Sequence, residues 1–260
     1  MTQTGDTRRP REVAEPPVES GAWERYWSAI GSRDIPPWDT DPEGQLSDWC
    51  RQVSGLLRPG LPLMDVACGN GHQTSWLAQR FATSVGPVIG VDVSATAVAL
   101  AREQQLHLSG VDYPGVRFEV VDVLDDQAVK ALAARTGPAN VWVRFLLHLL
   151  DDDDARRRAI ASLATLAGGQ GRIFDYEFLA QEPGKMEGYA ARHTSVRAVF
   201  EAGVRPGQLM PRELAALYRD AGLTVLTERS DEFHGAHGPA EGTFHAEWIV
   251  AGGERDAAAV

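Results

Sequence analysis

The feature that most constrains this chain is a regular alternation between residues 60 and 178, where short apolar runs are each followed by a stretch of helical spacing. Residues 61–67, 87–92, 116–121, 140–145 and 171–178 predict strands, and residues 71–81, 94–109, 125–135 and 151–167 predict the helices that separate them. Ser94 is a natural N-cap and Gly110 a natural stop. Strands joined through helices run parallel, with helices covering both faces. The pattern therefore predicts a doubly wound, Rossmann-like α/β fold. Further on, residues 211–222 put Pro at a helix N1 position and Gly at the helix end. Two last apolar runs, 223–229 and 244–251, are joined by a Gly- and His-rich loop and predict a final antiparallel strand pair. The sheet then has seven strands and is mostly parallel.

Around this unit the composition shifts. Residues 1–20 carry Pro10, Pro16 and Pro17 among charges and predict a disordered tail, and residues 252–260 predict a flexible one. Residues 21–251 read as a single domain. Its N-terminal part, 21–58, is rich in aromatic residues, with Trp23, Tyr26 and Trp27 on one helical face. Pro36-Pro37 breaks that helix, and residues 43–57 predict a second one. An insertion at 180–209, irregular to helical, follows the fifth strand.

Charge and cysteine content exclude several function classes. Acidic residues outnumber basic ones, 36 to 25, and the net charge of −11 argues against a nucleic-acid partner. Cys50 and Cys68 are too few for a disulfide scaffold, which fits the cytoplasm. No apolar run approaches the roughly 20 residues of a membrane span. Arg8-Arg9-Pro10-Arg11 lacks the apolar stretch of a signal peptide.

Ligands of doubly wound sheets bind at the carboxyl ends of the strands, near the point where strand order reverses. The first strand ends in Asp65-Val66-Ala67-Cys68-Gly69-Asn70-Gly71, whose glycines allow a sharp turn and close approach of a ligand to the backbone. The second ends in Asp92, where a carboxylate accepts both hydroxyls of a ribose, followed by Val93. The third ends in Val121-Asp122-Val123, suitably placed for an adenine amine. A dinucleotide site would want a third glycine, and Gly69-Asn70-Gly71-His72-Gln73-Thr74 lacks it.

The run Leu63-Met64-Asp65-Val66-Ala67-Cys68-Gly69-Asn70-Gly71, with Asp92 and Asp122 at the next strand ends, resembles the class I S-adenosylmethionine-dependent methyltransferase family over about residues 60–180. The resemblance implies that S-adenosyl-L-methionine is the cofactor and that Asp65 holds the amino end of its methionine moiety. It assigns Asp65, Ala67, Cys68, Gly69, Gly71, Asp92, Val93, Asp122, Val123 and Arg144 to cofactor binding. Ala67 stands where the family often has another glycine, and the family fills the Cys68 position without covalent chemistry.

The fourth strand leads into Arg144-Phe145-Leu146-Leu147-His148, similar to a segment of small-molecule O-methyltransferases in which the histidine is the general base. Carried over, His148 is the candidate base. Leu149 and Leu150 depart from that family's Asp-Trp, and its long N-terminal dimerisation domain is absent. The aromatic N-terminal segment resembles the leading helices of thiopurine-type methyltransferases, which implies a lid bearing Tyr26, Trp27 and Trp38 over the acceptor. Tyr176, at the end of the fifth strand, and Arg192, in a substrate cap at 180–209, are further candidates for contact with the acceptor. His234, His237 and His245 have no further ligand fixed by spacing, so no metal is expected.

The sequence reading is thus a methyltransferase of a small acceptor, O-directed, in specialised metabolism. N- or S-methylation of a small molecule or of a peptide or protein end is the alternative, as is a methyltransferase-like protein that binds the cofactor without transferring its methyl group. Monomer or homodimer is left open.

Overall fold

The computed structural model describes residues 18–30, 36, 38, 47–81, 83–108, 116–150, 152–205, 209–234 and 242–253. Of the tails expected at 1–20 and 252–260, residues 1–17 and 254–260 lie outside the described residues, as do Pro37, Gly110, Asp151 and His237, while residues 18–20 belong to the first helix and Gly252 to the last strand. Among the described residues the sheet has seven strands: β1 (Leu63–Val66), β2 (Val88–Asp92), β3 (Val116–Val120), β4 (Asn140–Arg144), β5 (Arg172–Phe178), β6 (Thr224–His234) and β7 (Thr243–Gly252). Their spatial order is β3-β2-β1-β4-β5-β7-β6, with β7 antiparallel to both of its neighbours. Strand order reverses at β1, which has β2 on one side and β4 on the other. Their carboxyl ends therefore frame the crevice in which such sheets bind ligands.

Local chemistry accounts for the elements. Every residue of β1 and β2 is buried, as central parallel strands require. The helices are α1 (Val18–Ala29), α2 (Ser47–Val53), α3 (His72–Phe81), α4 (Ala95–Leu108), α5 (Asp126–Thr136), α6 (Asp153–Ala167), α7 (Lys185–Arg192), α8 (Thr194–Glu201) and α9 (Glu213–Asp220). Ser94 caps α4 as expected, its Oγ accepting from the Ala97 N–H at 3.1 Å. Asp125 and Asp152 cap α5 and α6, and Gly168 in the left-handed region ends α6.

Alternation along the strands builds two apolar layers. Met64, Val66, Val141 and Val143 face α5, α6 and α9, while Leu63, Trp142 and Phe174 face α2 and α3.

Three expectations need correction. The helix expected at 43–57 is only α2 followed by a 3-10 turn, Ser54–Leu56, with residues 43–46 outside the described set. Pro211 is not at the N1 position of α9. The helix starts at Glu213 after Arg212, whose φ is 70°, and whose N–H donates to the Glu247 carboxylate at 2.9 and 3.0 Å. Finally, β6 runs on to His234, because its pairing with β7 continues past the apolar run, with a register shift between Val225 and Thr227.

Candidate cofactor and acceptor site

A cleft of about 1670 Å³, its open mouth included, lies over the carboxyl ends of β1, β2 and β4. Among the described residues three non-glycine residues have positive φ, and two of them stand on the cleft, Ala67 at 59° after β1 and Phe145 at 63° after β4. Left-handed backbone costs an L-residue roughly 1–2 kcal/mol, and strain of this kind gathers at functional sites.

One half of the cleft is polar. Asp65 is buried in β1 and accepts from Thr74 Oγ1 at 2.5 Å. Asp92, at the end of β2, accepts from the Gly69 N–H through Oδ2 and from the Ser94 N–H through Oδ1, both at 2.9 Å. That pins the glycine turn to the second strand. Burial raises the Asp92 carboxyl to about 6 against these two donors, with Glu24 adding a smaller push. Asp122 accepts from the Leu124 N–H at 2.8 Å and lines the same wall with Val93 and Val123. Gly69, at φ 55°, leaves room for Trp27, whose Cζ2 would lie 2.7 Å from an added Cβ.

Gln73, on the first turn of α3, is also buried on this wall, and its Nε2 has no hydrogen-bond partner. A buried donor without an acceptor costs about 1–3 kcal/mol and points to a ligand oxygen. The methionine carboxylate of S-adenosylmethionine is an acceptor of that kind, and the three acids suit its ammonium, ribose and adenine amine. These residues fit the group.

The other half is apolar and aromatic except for His148. This residue lies in the turn after β4, buried, with Nδ1 2.6 Å from Glu177 Oε2. Glu177 also accepts from the N–H groups of Leu146 and Leu147 at 2.7 Å and of His148 at 3.3 Å. Burial pushes the Glu177 carboxyl up to about 7, against the N–H groups of Leu147, Leu146 and His148 and a side-chain hydrogen bond with Asp175, which favour its ionised form. Burial, with a smaller contribution from Arg156, holds His148 down at about 3, so the ring is neutral. An ionised Glu177 opposite Nδ1 favours the neutral tautomer with its proton there, and the residue lines the cleft.

The roof is clamped at two points. Glu24 of α1 accepts from Ser94 Oγ at 2.6 Å and from Thr96 Oγ1 and N–H, at the start of α4. Burial would raise the Glu24 carboxyl, but these donors hold it below the usual range. Arg25 donates to the Ala202 carbonyl, just after α8, at 2.8 and 3.2 Å. The N-terminal helix is thus tied both to the sheet side and to the insertion.

Trp27, Trp38, Asp65, Ala67, Cys68, Gly69, Asp92, Val93, Asp122, Val123, Arg144 and His148 all line the cleft. Four expected site residues do not. Tyr26 is fully buried among Trp23, Trp27 and Trp38, with ring centroids 5.1–5.6 Å away. Gly71, at φ 76°, instead lets α3 pack closely, since a Cβ there would meet Ala101 and Phe118 at 2.7 Å. Tyr176 alternates to the face of Trp49 and donates to Asp231 Oδ2 at 3.1 Å. Arg192 is exposed, 6.0 Å above the Tyr189 ring.

Cys68 is buried, and burial together with Asp92 and Asp65 pushes its thiol well up, which removes nucleophilic character. Among the described residues no three His, Cys, Asp or Glu gather to hold a metal, and no helix is long and apolar enough to cross a membrane.

Sequence reasoning missed Gln73, the pairing of Glu177 with His148, and three aromatic residues of the acceptor half, Phe178, Phe233 and Phe244. These three come from β5, β6 and β7, and no local spacing joins them.

Acids ending three successive strands around a glycine turn, at the reversal point of a 3-2-1-4-5-7-6 sheet, define a class I methyltransferase site. Comparisons agree. A family model for a methyltransferase domain matches residues 57–155. A crystal structure of an S-adenosylmethionine-dependent methyltransferase from Anabaena variabilis is 26% identical, with a TM-score of 0.77 over 92% of this chain and 96% of that one. A geranyl diphosphate methyltransferase in complex with GPP and sinefungin shares the fold at 16% identity, with a TM-score of 0.57 over 91% of this chain and 99% of that one. The trans-aconitate 2-methyltransferase of Deinococcus radiodurans is 37% identical over 92 residues, 33% of this chain and 32% of its own length. That match spans about a third of the curated relative. Residues 57–155 thus match a methyltransferase domain, and the fold and the solved relatives support a class I S-adenosylmethionine-dependent methyltransferase with S-adenosyl-L-methionine as its cofactor.

Proposed function

We propose that this protein transfers a methyl group to a hydroxyl of a small acceptor in specialised metabolism, with His148 as general base. The observation that carries the reading is the buried contact of 2.6 Å between His148 Nδ1 and Glu177 Oε2 on the wall of the cleft. A methyl group on a sulfonium is what the bound cofactor supplies. Asp65 would hold its ammonium, Gln73 Nε2 and Arg144 its carboxylate, Asp92 its ribose hydroxyls and Asp122 its adenine amine, with Val93 and Val123 on the same wall. His148 Nε2 takes the hydroxyl proton as the oxygen attacks, and Glu177 stabilises the imidazolium that results. The rest of the protein orients the two reactants and excludes water. An amine acceptor is nucleophilic once neutral and has no need of this pair. The relative from Deinococcus is named for a tricarboxylate, but it matches only a third of the chain.

Calorimetric titration with S-adenosylmethionine tests the first step. The wild type binds at micromolar to millimolar cofactor, and Asp92→Ala weakens binding at least tenfold. No binding to the wild type at millimolar cofactor refutes the reading.

A further inference from the structure

The acceptor half of the cleft is lined by packed aromatic rings. Phe145 and Phe178 stack with centroids 4.0 Å apart and planes within 9°, and His148 stands edge-on to Phe178 at 5.3 Å. Phe233 closes on both phenylalanines at 4.9 Å. Tyr189 and Phe244, 5.1 Å apart, continue the same wall.

Charge points the same way. Among the described residues that line the cleft, Arg144 is the single permanently charged cation, against Asp65, Asp92 and Asp122. Arg144 lies with its Cζ 5.0 Å over the Phe145 ring. Lys185 and Arg192 lie over Phe244 and Tyr189, at 5.2 and 6.0 Å, and neither lines the cleft. A polycarboxylate entering here would lose its hydration without gaining paired cations, which is costly. A flat ring system instead buries apolar area against ring faces and edges, and keeps one polar group for His148.

Building on the hydroxyl-methylation reading, we propose that the acceptor is a neutral aromatic or similarly planar hydroxyl compound, selected by the cage of Phe145, Phe178, Tyr189, Phe233 and Phe244. Met186, half-buried on the same wall, offers a way to change that selection.

The test is calorimetric binding of two probes, 2-naphthol and citrate, to the full chain saturated with S-adenosylhomocysteine. 2-Naphthol is expected to bind at least tenfold more tightly than citrate. Met186→Lys is expected to narrow that ratio at least tenfold, and Phe178→Ala to weaken naphthol at least tenfold with S-adenosylhomocysteine affinity unchanged. Citrate binding as tightly as naphthol, or no naphthol binding at 1 mM (roughly −4 kcal/mol), overturns the proposal. If Phe178→Ala does not fold, the wild-type ratio and Met186→Lys decide. Because both probes are read by binding, failure of the base mechanism is separate: naphthol bound but never methylated refutes the role given to His148 and leaves the acceptor class standing.

Discussion

His148 Nδ1 lies 2.6 Å from Glu177 Oε2, joining the turn after β4 to the end of β5 in a buried pair. The same carboxylate gathers the N–H groups of Leu146, Leu147 and His148, so it holds the backbone of the turn as well as the ring. Glu177 is therefore a positioning residue, acting on the acceptor through His148.

Replacing Glu177 by glutamine keeps the shape but puts a donor opposite Nδ1, which favours the tautomer with its proton on Nε2. Glu177→Gln is expected to lower kcat about 100-fold or more with KM for the cofactor within twofold. The wild-type kcat should also fall as pH drops below about 7, where Glu177 takes up a proton, and Glu177→Gln should remove that limb. Steady-state kinetics from pH 5.5 to 9 reads both.

Asp92 gives a separate pH dependence. Burial raises its carboxyl to about 6, and only the ionised form accepts both ribose hydroxyls. Cofactor affinity, read by calorimetry, should fall as pH drops through about 6, by up to about tenfold per unit. The ligand-free protein behaves oppositely. A carboxyl raised in the folded state contributes stability at low pH that is lost as pH rises through about 6. His148, held at about 3, stays unprotonated throughout this window.

Gly71 supports α3 from behind. Gly71→Ala would put a methyl 2.7 Å from Ala101 and from Phe118 at a φ of 76°. A loss of about 2 kcal/mol is expected from overpacking and strain together, seen as a fall in Tm of roughly 4–8 °C. A Tm within 1 °C of wild type would show that the interface relaxes.

The cofactor half was legible in the sequence because one local rule generates it. Each strand of a parallel sheet ends at the same edge, so Asp65, Asp92 and Asp122 meet once the strands are recognised. The acceptor half follows no such rule. Glu177 is 29 residues from His148, and its role appears only when β4 and β5 pair, with Arg144 beside Tyr176. Tyr176 was expected at the acceptor because it ends β5, but alternation turns it to the layer of Trp49 and leaves its neighbour Glu177 to face His148. Phe233 and Phe244 read as ordinary strand residues, and only the antiparallel pair brings them opposite each other. Arg192 had the right charge, but its helix buries Tyr189 instead.

The most direct measurement is single-turnover transfer of a deuterated methyl group from S-adenosylmethionine to a panel of hydroxylated aromatic acceptors and their amine counterparts, with wild type and His148→Ala compared by mass spectrometry. The account predicts label on oxygen, and a loss of about 100-fold or more in His148→Ala with cofactor affinity unchanged. Label on nitrogen alone, or equal rates in the two proteins, would contradict it.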